Sequence, residues 1–203
     1  MAVALATNST LTTLTLTYNK VRNVGAGRLA EALAINFTLT TLILDENRVG
    51  DEGAGRLAEA LATNSTLTTL NLGRNEVGDE GAGRLAEALV TNSTLTTLDL
   101  NGNLVGDVGA RRLAGALASN FTLTTLYFYR NSIDCAWKTS RRIDACLDRN
   151  KGNREKKWAS LFLMLLPSLS LDDDEHSEKV TLSHIVSVTF EDHTPSSKRQ
   201  RRT

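Results

Sequence analysis

Residues 39–66, LTTLILDENRVGDEGAGRLAEALATNST, return as residues 67–94 with five substitutions and no gap, so the chain is a tandem array with a 28-residue period. The same frame fits 11–38 and 95–122, and a fifth copy opens at Leu123 before the pattern is lost near Asp134. A fixed period of this length excludes a globule built around one central core. Every copy carries the same apolar pattern, and all of them can bury it only by stacking in one dimension, each against its neighbours. Such a stack offers a long surface and no enclosed pocket, which favours binding over chemistry.

The two halves of a copy have different periods. Leu39, Leu42 and Leu44, followed by Asn47 and Val49, give LxxLxLxxNxV, in which Leu42 and Leu44 share one face of a short strand and Ile43 takes the other. After Gly50 and Asp51, expected as the N-cap, Ala54, Leu57, Ala58 and Leu61 recur at i, i+3, i+4 and i+7 as one apolar helical stripe. Arg56 and Glu59 lie outside the stripe at ion-pair spacing, and Asn64 ends the helix. Each copy thus reads strand, turn, helix, turn. Strands joined this way are parallel and their crossovers right-handed, which puts helices on the outer curve and strands on the inner.

LxxLxLxxN begins at Leu11, Leu39, Leu67, Leu95 and Leu123, with its asparagine at Asn19, Asn47, Asn75, Asn103 and Asn131. The pattern resembles the ribonuclease-inhibitor type of leucine-rich repeat, the 28-residue class also found in NOD-like receptors and Ran GTPase-activating proteins. The resemblance implies an α/β fold: a right-handed leucine-rich-repeat solenoid, a horseshoe segment with parallel strands on the concave face and helices on the convex face. It also implies a structural asparagine ladder. A side-chain amide can both donate to and accept from the main chain of the turn after each strand, so all five asparagines are expected to be structural.

The ends depart from the repeat. Ala4–Thr10 is identical to Ala60–Thr66, so residues 1–10 read as the tail of a truncated repeat helix that leaves an uncapped edge open to self-association. Residues 11–150 form the repeat domain, four full copies and an atypical fifth. There Ile143 and Leu147 keep the helical i, i+4 pair two residues out of frame, which predicts a closing helix over Ala136–Arg149. Residues 151–171 contain the apolar run Trp158–Leu166, far shorter than the roughly 20 residues that span a bilayer, and are expected to form a C-terminal cap. Residues 172–203 are an acidic and then basic flexible tail. The default location is cytoplasmic, since no secretory signal opens the chain; Lys198, Arg199, Arg201 and Arg202 are a candidate nuclear import signal.

With 23 basic and 23 acidic residues there is no global field to steer the chain onto nucleic acid or an anionic membrane. Asn8, Asn36, Asn64, Asn92 and Asn120 open N-x-T sequons, but each falls at the same helix-to-strand corner, which argues for a structural role. Cys135 and Cys146 would lie about 16 Å apart along one helix at 1.5 Å per residue, too far for a disulfide. His176, His184 and His193 fit no metal spacing, and the recurrent VGDEGAG glycines lack the lysine of a phosphate loop. No catalytic residue, metal or cofactor is expected.

Functional information lies in how the copies differ. Of the five changes between the second and third copies, Ile43/Asn71, Asp45/Gly73, Glu46/Arg74 and Arg48/Glu76 fall in the strand and its turn, and only Ala62/Val90 in the helix. Positions five, seven and eight of each copy are expected on the concave face. There they give a partner-binding set of Thr15 and Tyr18; Ile43, Asp45 and Glu46; Asn71 and Arg74; Asp99 and Asn101; and Tyr127, Tyr129 and Arg130. Tyrosine and arginine are residue types enriched at binding hot spots. Five strands at about 4.8 Å spacing span about 20 Å, enough for a peptide, a loop or a small protein interface. The flanking threonines, Thr12 and Thr13 through Thr124 and Thr125, are expected to form ladders that favour the strand. The expected function is a non-enzymatic protein-protein interaction module with a protein partner and no small-molecule substrate. The alternatives are a GTPase-activating protein resembling the Ran regulator, with Arg74 or Arg130 as its arginine, and detached sensor repeats of a NOD-like receptor.

Overall fold

The computed structural model describes residues 2–132 and 141–154. Helices and strands alternate as α1 (Ala2–Thr7), β1 (Thr13–Thr15), α2 (Arg22–Leu33), β2 (Thr41–Ile43), α3 (Asp51–Leu61), β3 (Thr69–Asn71), α4 (Asp79–Thr91), β4 (Thr97–Asp99), α5 (Asp107–Ser119) and β5 (Thr125–Tyr127). Residues 141–154 form a further helix. The strands make one open parallel sheet in chain order, and each pairs with its neighbour one period along: Leu14 with Leu42, Leu42 with Leu70, Leu70 with Leu98, Leu98 with Leu126. The chain is an α/β leucine-rich-repeat solenoid.

The core runs between sheet and helices. Leu42, Leu44 and Val49 from one copy, with Leu57 and Leu61 from its helix, are buried, as are Leu70, Leu72, Val77, Leu85 and Leu89 in the next. Full burial stabilises by about 2 kcal/mol per leucine. Much of that burial is against the neighbouring copy, so no copy is stable alone. The second-position threonines add an edge-to-edge ladder: the hydroxyls of Thr40, Thr68, Thr96 and Thr124 donate to the carbonyls of Thr12, Thr40, Thr68 and Thr96 at 3.0–3.2 Å.

Polar contacts between copies follow the same period. Asn75 Nδ2 donates to the carbonyls of Leu44, Leu72 and Gly73 at 2.9, 3.0 and 3.1 Å, and its Oδ1 accepts the amides of Asn47 and Val49 at 3.0 and 2.9 Å. Asn47 and Asn103 bond in the same way, whereas Asn19 at the first rung is exposed and reaches only Leu16 and Thr17 of its own copy. Asn131, half-buried, donates to Leu100 and accepts from Val105. The corner asparagines make a second ladder. Asn64 donates to Leu33 and Asn36 and accepts from Thr66 and Leu67, and Asn36, Asn64, Asn92 and Asn120 are all buried. Those four sequon side chains are therefore occupied inside the stack.

Asp51 corrects the expected helix start. The N-cap of α3 is Gly50, in extended backbone with no side-chain cap. Asp51 is instead the first helical residue, and its carboxylate faces the following copy, accepting the amides of Gly78 at 2.7 Å and Gly81 at 2.8 Å. Asp79 does the same for Gly106 and Gly109, and Asn23 for Gly50 and Gly53. Stacking at a 28-residue period places the first turn of one helix beside the unpaired amides of the next, so α3, α4 and α5 are each capped from the preceding copy. At Gly81 a Cβ would sit 2.7 Å from Asp51 Oδ1, which is why the third helical residue has no side chain.

The helix over 141–154 buries Ile143 and Leu147 in the common core. Asn150 is fully buried and donates to Asn120 and Leu123, adding a rung to the corner ladder with the same two-residue displacement as Ile143 and Leu147. Arg149 donates to the carbonyls of Leu117, Ala118 and Asn120 at 2.8, 3.0 and 2.7 Å and stacks 4.1 Å over the Phe121 ring, so it satisfies the open C-terminus of α5. The expected helix start at Ala136 lies outside the described residues, as do Cys135, Trp158–Leu166, the three histidines and the basic tail. Cys146 is a half-buried free thiol. Among the described residues no helix is long and apolar enough to cross a membrane.

Candidate functional site

Position five of each copy projects from the sheet on the side away from the helices. Ile43, Asn71 and Asp99 are half-buried there, and Thr15 and Tyr127 exposed. Position seven follows the same alternation, with Thr17, Asp45 and Asn101 half-buried, Gly73 buried and Tyr129 exposed. These residues are tied to one another. Thr17 Oγ1 donates to Asp45 Oδ1 at 2.7 Å, the Gly73 amide to Asn71 Oδ1 at 2.8 Å, the Asn101 amide to Asp99 Oδ1 at 2.8 Å, and the Tyr129 amide to Asn101 Oδ1 at 2.7 Å.

Gly73 makes the floor of an open trough of about 730 Å³, walled by Asp45, Asn71, Asp99 and Asn101 and bounded by Arg74, Tyr129 and Arg130. A Cβ at Gly73 would lie 3.1 Å from Asn71 Oδ1 and 3.4 Å from Asp99 Oδ1, so any larger residue would fill the trough. Burial pushes the Asp99 carboxyl above the usual carboxylate range; Asp45 adds to the rise, while the Asn101 amide and Arg74 oppose it.

Strand alternation alone does not place position eight, because neighbouring residues of an extended strand point to opposite faces. Tyr18, Glu46, Arg74 and Arg130 instead have left-handed backbone, with φ of 58°, 57°, 50° and 57°, and Gly102 has φ of 66°. This kink keeps positions seven and eight on the solvent side together, at a cost of about 1–2 kcal/mol for a residue with a Cβ. It also moves position eight toward the strand–helix turns. There Tyr18, Glu46 and Arg74 line a second shallow depression with Lys20, Arg48 and Glu76. These three position-ten residues were outside the expected site, although the Arg48/Glu76 change between copies marked the position as variable.

Tyr18, Glu46 and Arg74 act as a chain across three copies. Arg74 Nη1 donates to Glu46 Oε1 at 2.5 Å. Arg74 holds the Glu46 carboxyl below the usual range, and the Tyr18 phenol is pushed up by its hydrogen bond to Glu46 and then by that residue's charge. The Arg74 side chain is 61% exposed, so the pair sits in high dielectric and orients side chains more than it stabilises the fold. The structure thus brings Asp45, Asn71, Asp99, Asn101, Arg74, Tyr129 and Arg130 around one trough and leaves Tyr18 and Glu46 at the neighbouring depression. Thr15 and Ile43 lie on the same sheet face nearer the N-terminal edge.

A family model described as "Leucine Rich repeat" matches residues 7–30, 36–58, 63–86 and 91–114. No curated protein sequence matches the chain. The fold is similar to the leiomodin-1 actin-binding site 2 structure, with TM-score 0.73 and 24% identity over 80% of this chain and 94% of that one. It is also similar to the tropomodulin C-terminal domain of Caenorhabditis elegans, with TM-score 0.68 and 17% identity over 78% and 96% of the two chains. The chain belongs to the leucine-rich-repeat proteins, with repeats of the ribonuclease-inhibitor type.

Proposed function

We propose that this chain is a non-enzymatic protein-interaction module, with residues 11–150 as the binding domain and the concave strand face, away from the helices, as the surface that holds a protein partner. One observation carries this reading. The second and third copies keep every core and ladder residue, and four of their five differences fall on the strand and its turn, where charge and size change from copy to copy. Asp45, Asn71, Gly73 and Arg74 from these two copies line one trough with Asp99, Asn101 and the exposed Tyr129, and the exposed Tyr127 pairs with Asp99 on the next strand. A cytoplasmic setting suits a domain with a free thiol at Cys146. The leiomodin-1 domain of the same fold is named as an actin-binding site, which makes actin the first purified protein to offer.

The test is affinity capture from lysate by the wild-type chain and by a variant carrying Asp45→Ser, Glu46→Asn, Arg74→Asn, Tyr127→Thr and Tyr129→Thr. Asparagine is used at the two left-handed positions because it tolerates that backbone, and circular dichroism establishes equal folding. A specific partner captured by wild type and lost by the variant is the expected result. Equal capture by both would remove the sheet face as the binding surface.

A further inference from the structure

The Gly73 trough has a definite chemistry. Asp45 and Asp99 stand on β-segments two inter-strand spacings apart, about 10 Å at 4.8 Å per spacing, with the glycine floor between them and the Asn71 and Asn101 amides on the remaining walls. Neither carboxylate is in a salt bridge among the described residues, and of the two arginines that bound the trough Arg74 is already paired to Glu46. Asp99 is desolvated and also feels the charge of Asp45. Like charges held in a half-buried recess are unfavourable to the free protein and become favourable when a cation enters. One metal ion does not fit, since coordination needs oxygens within about 2.6 Å of a single centre. A long basic side chain does fit: its stem can lie over Gly73 and its donors can reach carboxylate and amide oxygens on both walls.

We infer that the trough seats a lysine or arginine side chain of an extended partner segment, fixed between Asp45 and Asp99 over Gly73, with Tyr129 packing beside it. This rests on the strand face being the binding surface. Arg130, at the trough's end, then faces an acidic or polar residue further along the same segment, so the partner alternates in charge along its length.

A displayed library of random peptides of about 12 residues, long enough to cross all five strands, is selected on the folded wild-type chain. Enriched peptides are then measured by fluorescence polarisation against Asp45→Asn/Asp99→Asn, against the charge-matched helix-side control Glu52→Gln/Glu80→Gln, and against Tyr127→Ala/Tyr129→Ala. The expected result is a recurrent lysine or arginine in the enriched peptides and binding weakened about tenfold or more by the aspartate pair, with the glutamate control unchanged. Peptides without a recurrent basic residue, or bound as tightly by the aspartate variant, overturn the inference. If such peptides still lose binding on the tyrosine variant, the strand-face function stands and only the trough assignment falls. If no strand-face substitution weakens binding, or nothing is enriched, both fall.

Discussion

Asp51 accepts a hydrogen bond from the Gly81 amide at 2.8 Å, so the first turn of α4 is completed by a side chain from the copy before it. Replacing Asp79, which caps Gly106 and Gly109 in the same way, with alanine is expected to destabilise the array by about 1–2 kcal/mol, the usual worth of an N-cap. Asp79→Asn is expected to cost much less, because Asn23 makes the equivalent bonds at 2.8 and 3.2 Å. Urea denaturation midpoints of the three proteins check this.

Gly81→Ala introduces a Cβ 2.7 Å from Asp51 Oδ1 and 3.0 Å from Asp51 Cα. Neither neighbour can retreat without losing the cap or shifting a helix, and a loss of about 1–3 kcal/mol follows, typical of overpacking. Gly115→Ala, where nothing lies within 4 Å, is expected to be neutral or stabilising through helix propensity. The same denaturation series separates the two.

Asn75 and Asn19 occupy the same repeat position, yet their truncation should differ. Asn75→Ala leaves the buried amides of Asn47 and Val49 without partners and takes one of two donors from the carbonyls of Leu44, Leu72 and Gly73, and is expected to cost about 3 kcal/mol. Asn19→Ala removes bonds that water can replace, because Asn19 is exposed, and is expected to cost under about 1 kcal/mol.

Asp99 gives a pH dependence. Its folded-state pKa lies above the ordinary carboxylate value, chiefly through burial. A raised carboxyl favours the protonated form in the folded chain, so its stabilising share is present below the unfolded pKa and is lost as pH rises through the folded one. At neutral pH the ionised Asp99 is therefore a net burden. Asp99→Asn is expected to raise the thermal midpoint at pH 7, and the gain is expected to shrink on acidification through the carboxylate range. Asn71 shows that an amide can take over the backbone bond Asp99 makes, since it accepts the Gly73 amide at the same 2.8 Å.

Arg149 and Asn150 close the last described turn of the stack. In a solenoid, interactions reach nearest neighbours only. Arg149→Ala with Asn150→Ala is therefore expected to speed amide exchange in α5 and β5 and to leave α3 unchanged, as read by hydrogen-exchange mass spectrometry.

The repeat made most of this fold legible. A 28-residue period with leucines at positions one, four and six places the strands, their register and the buried face together, because stacking is the one way identical copies share a core. Contacts between copies were less legible. Asp51 lies just before an apolar stripe, where a local pattern names it an N-cap; only the stack shows that its reach is to Gly78 and Gly81. The kink at position eight is marked in the sequence by Gly102 of the fourth copy alone, since Tyr18, Glu46, Arg74 and Arg130 are not residues that favour left-handed backbone. Asn150 could have been found: Ile143, Leu147 and Asn150 repeat the spacing of Leu113, Leu117 and Asn120. The candidate face followed from variation between copies, but the trough depends on the absence of a side chain at Gly73, which a search for functional residues passes over.

Hydroxyl-radical footprinting of the chain alone and bound to its captured partner reads the interface directly from side-chain protection. Tyr18, Tyr127 and Tyr129 are 72%, 45% and 77% exposed on the strand side, and Phe37 is 69% exposed at a helix-to-strand corner. Partner binding at the sheet is expected to protect Tyr127 and Tyr129 strongly while Phe37 keeps its free reactivity. Protection of Phe37 with the tyrosines unchanged would contradict the account and move the interface to the edge of the helical layer.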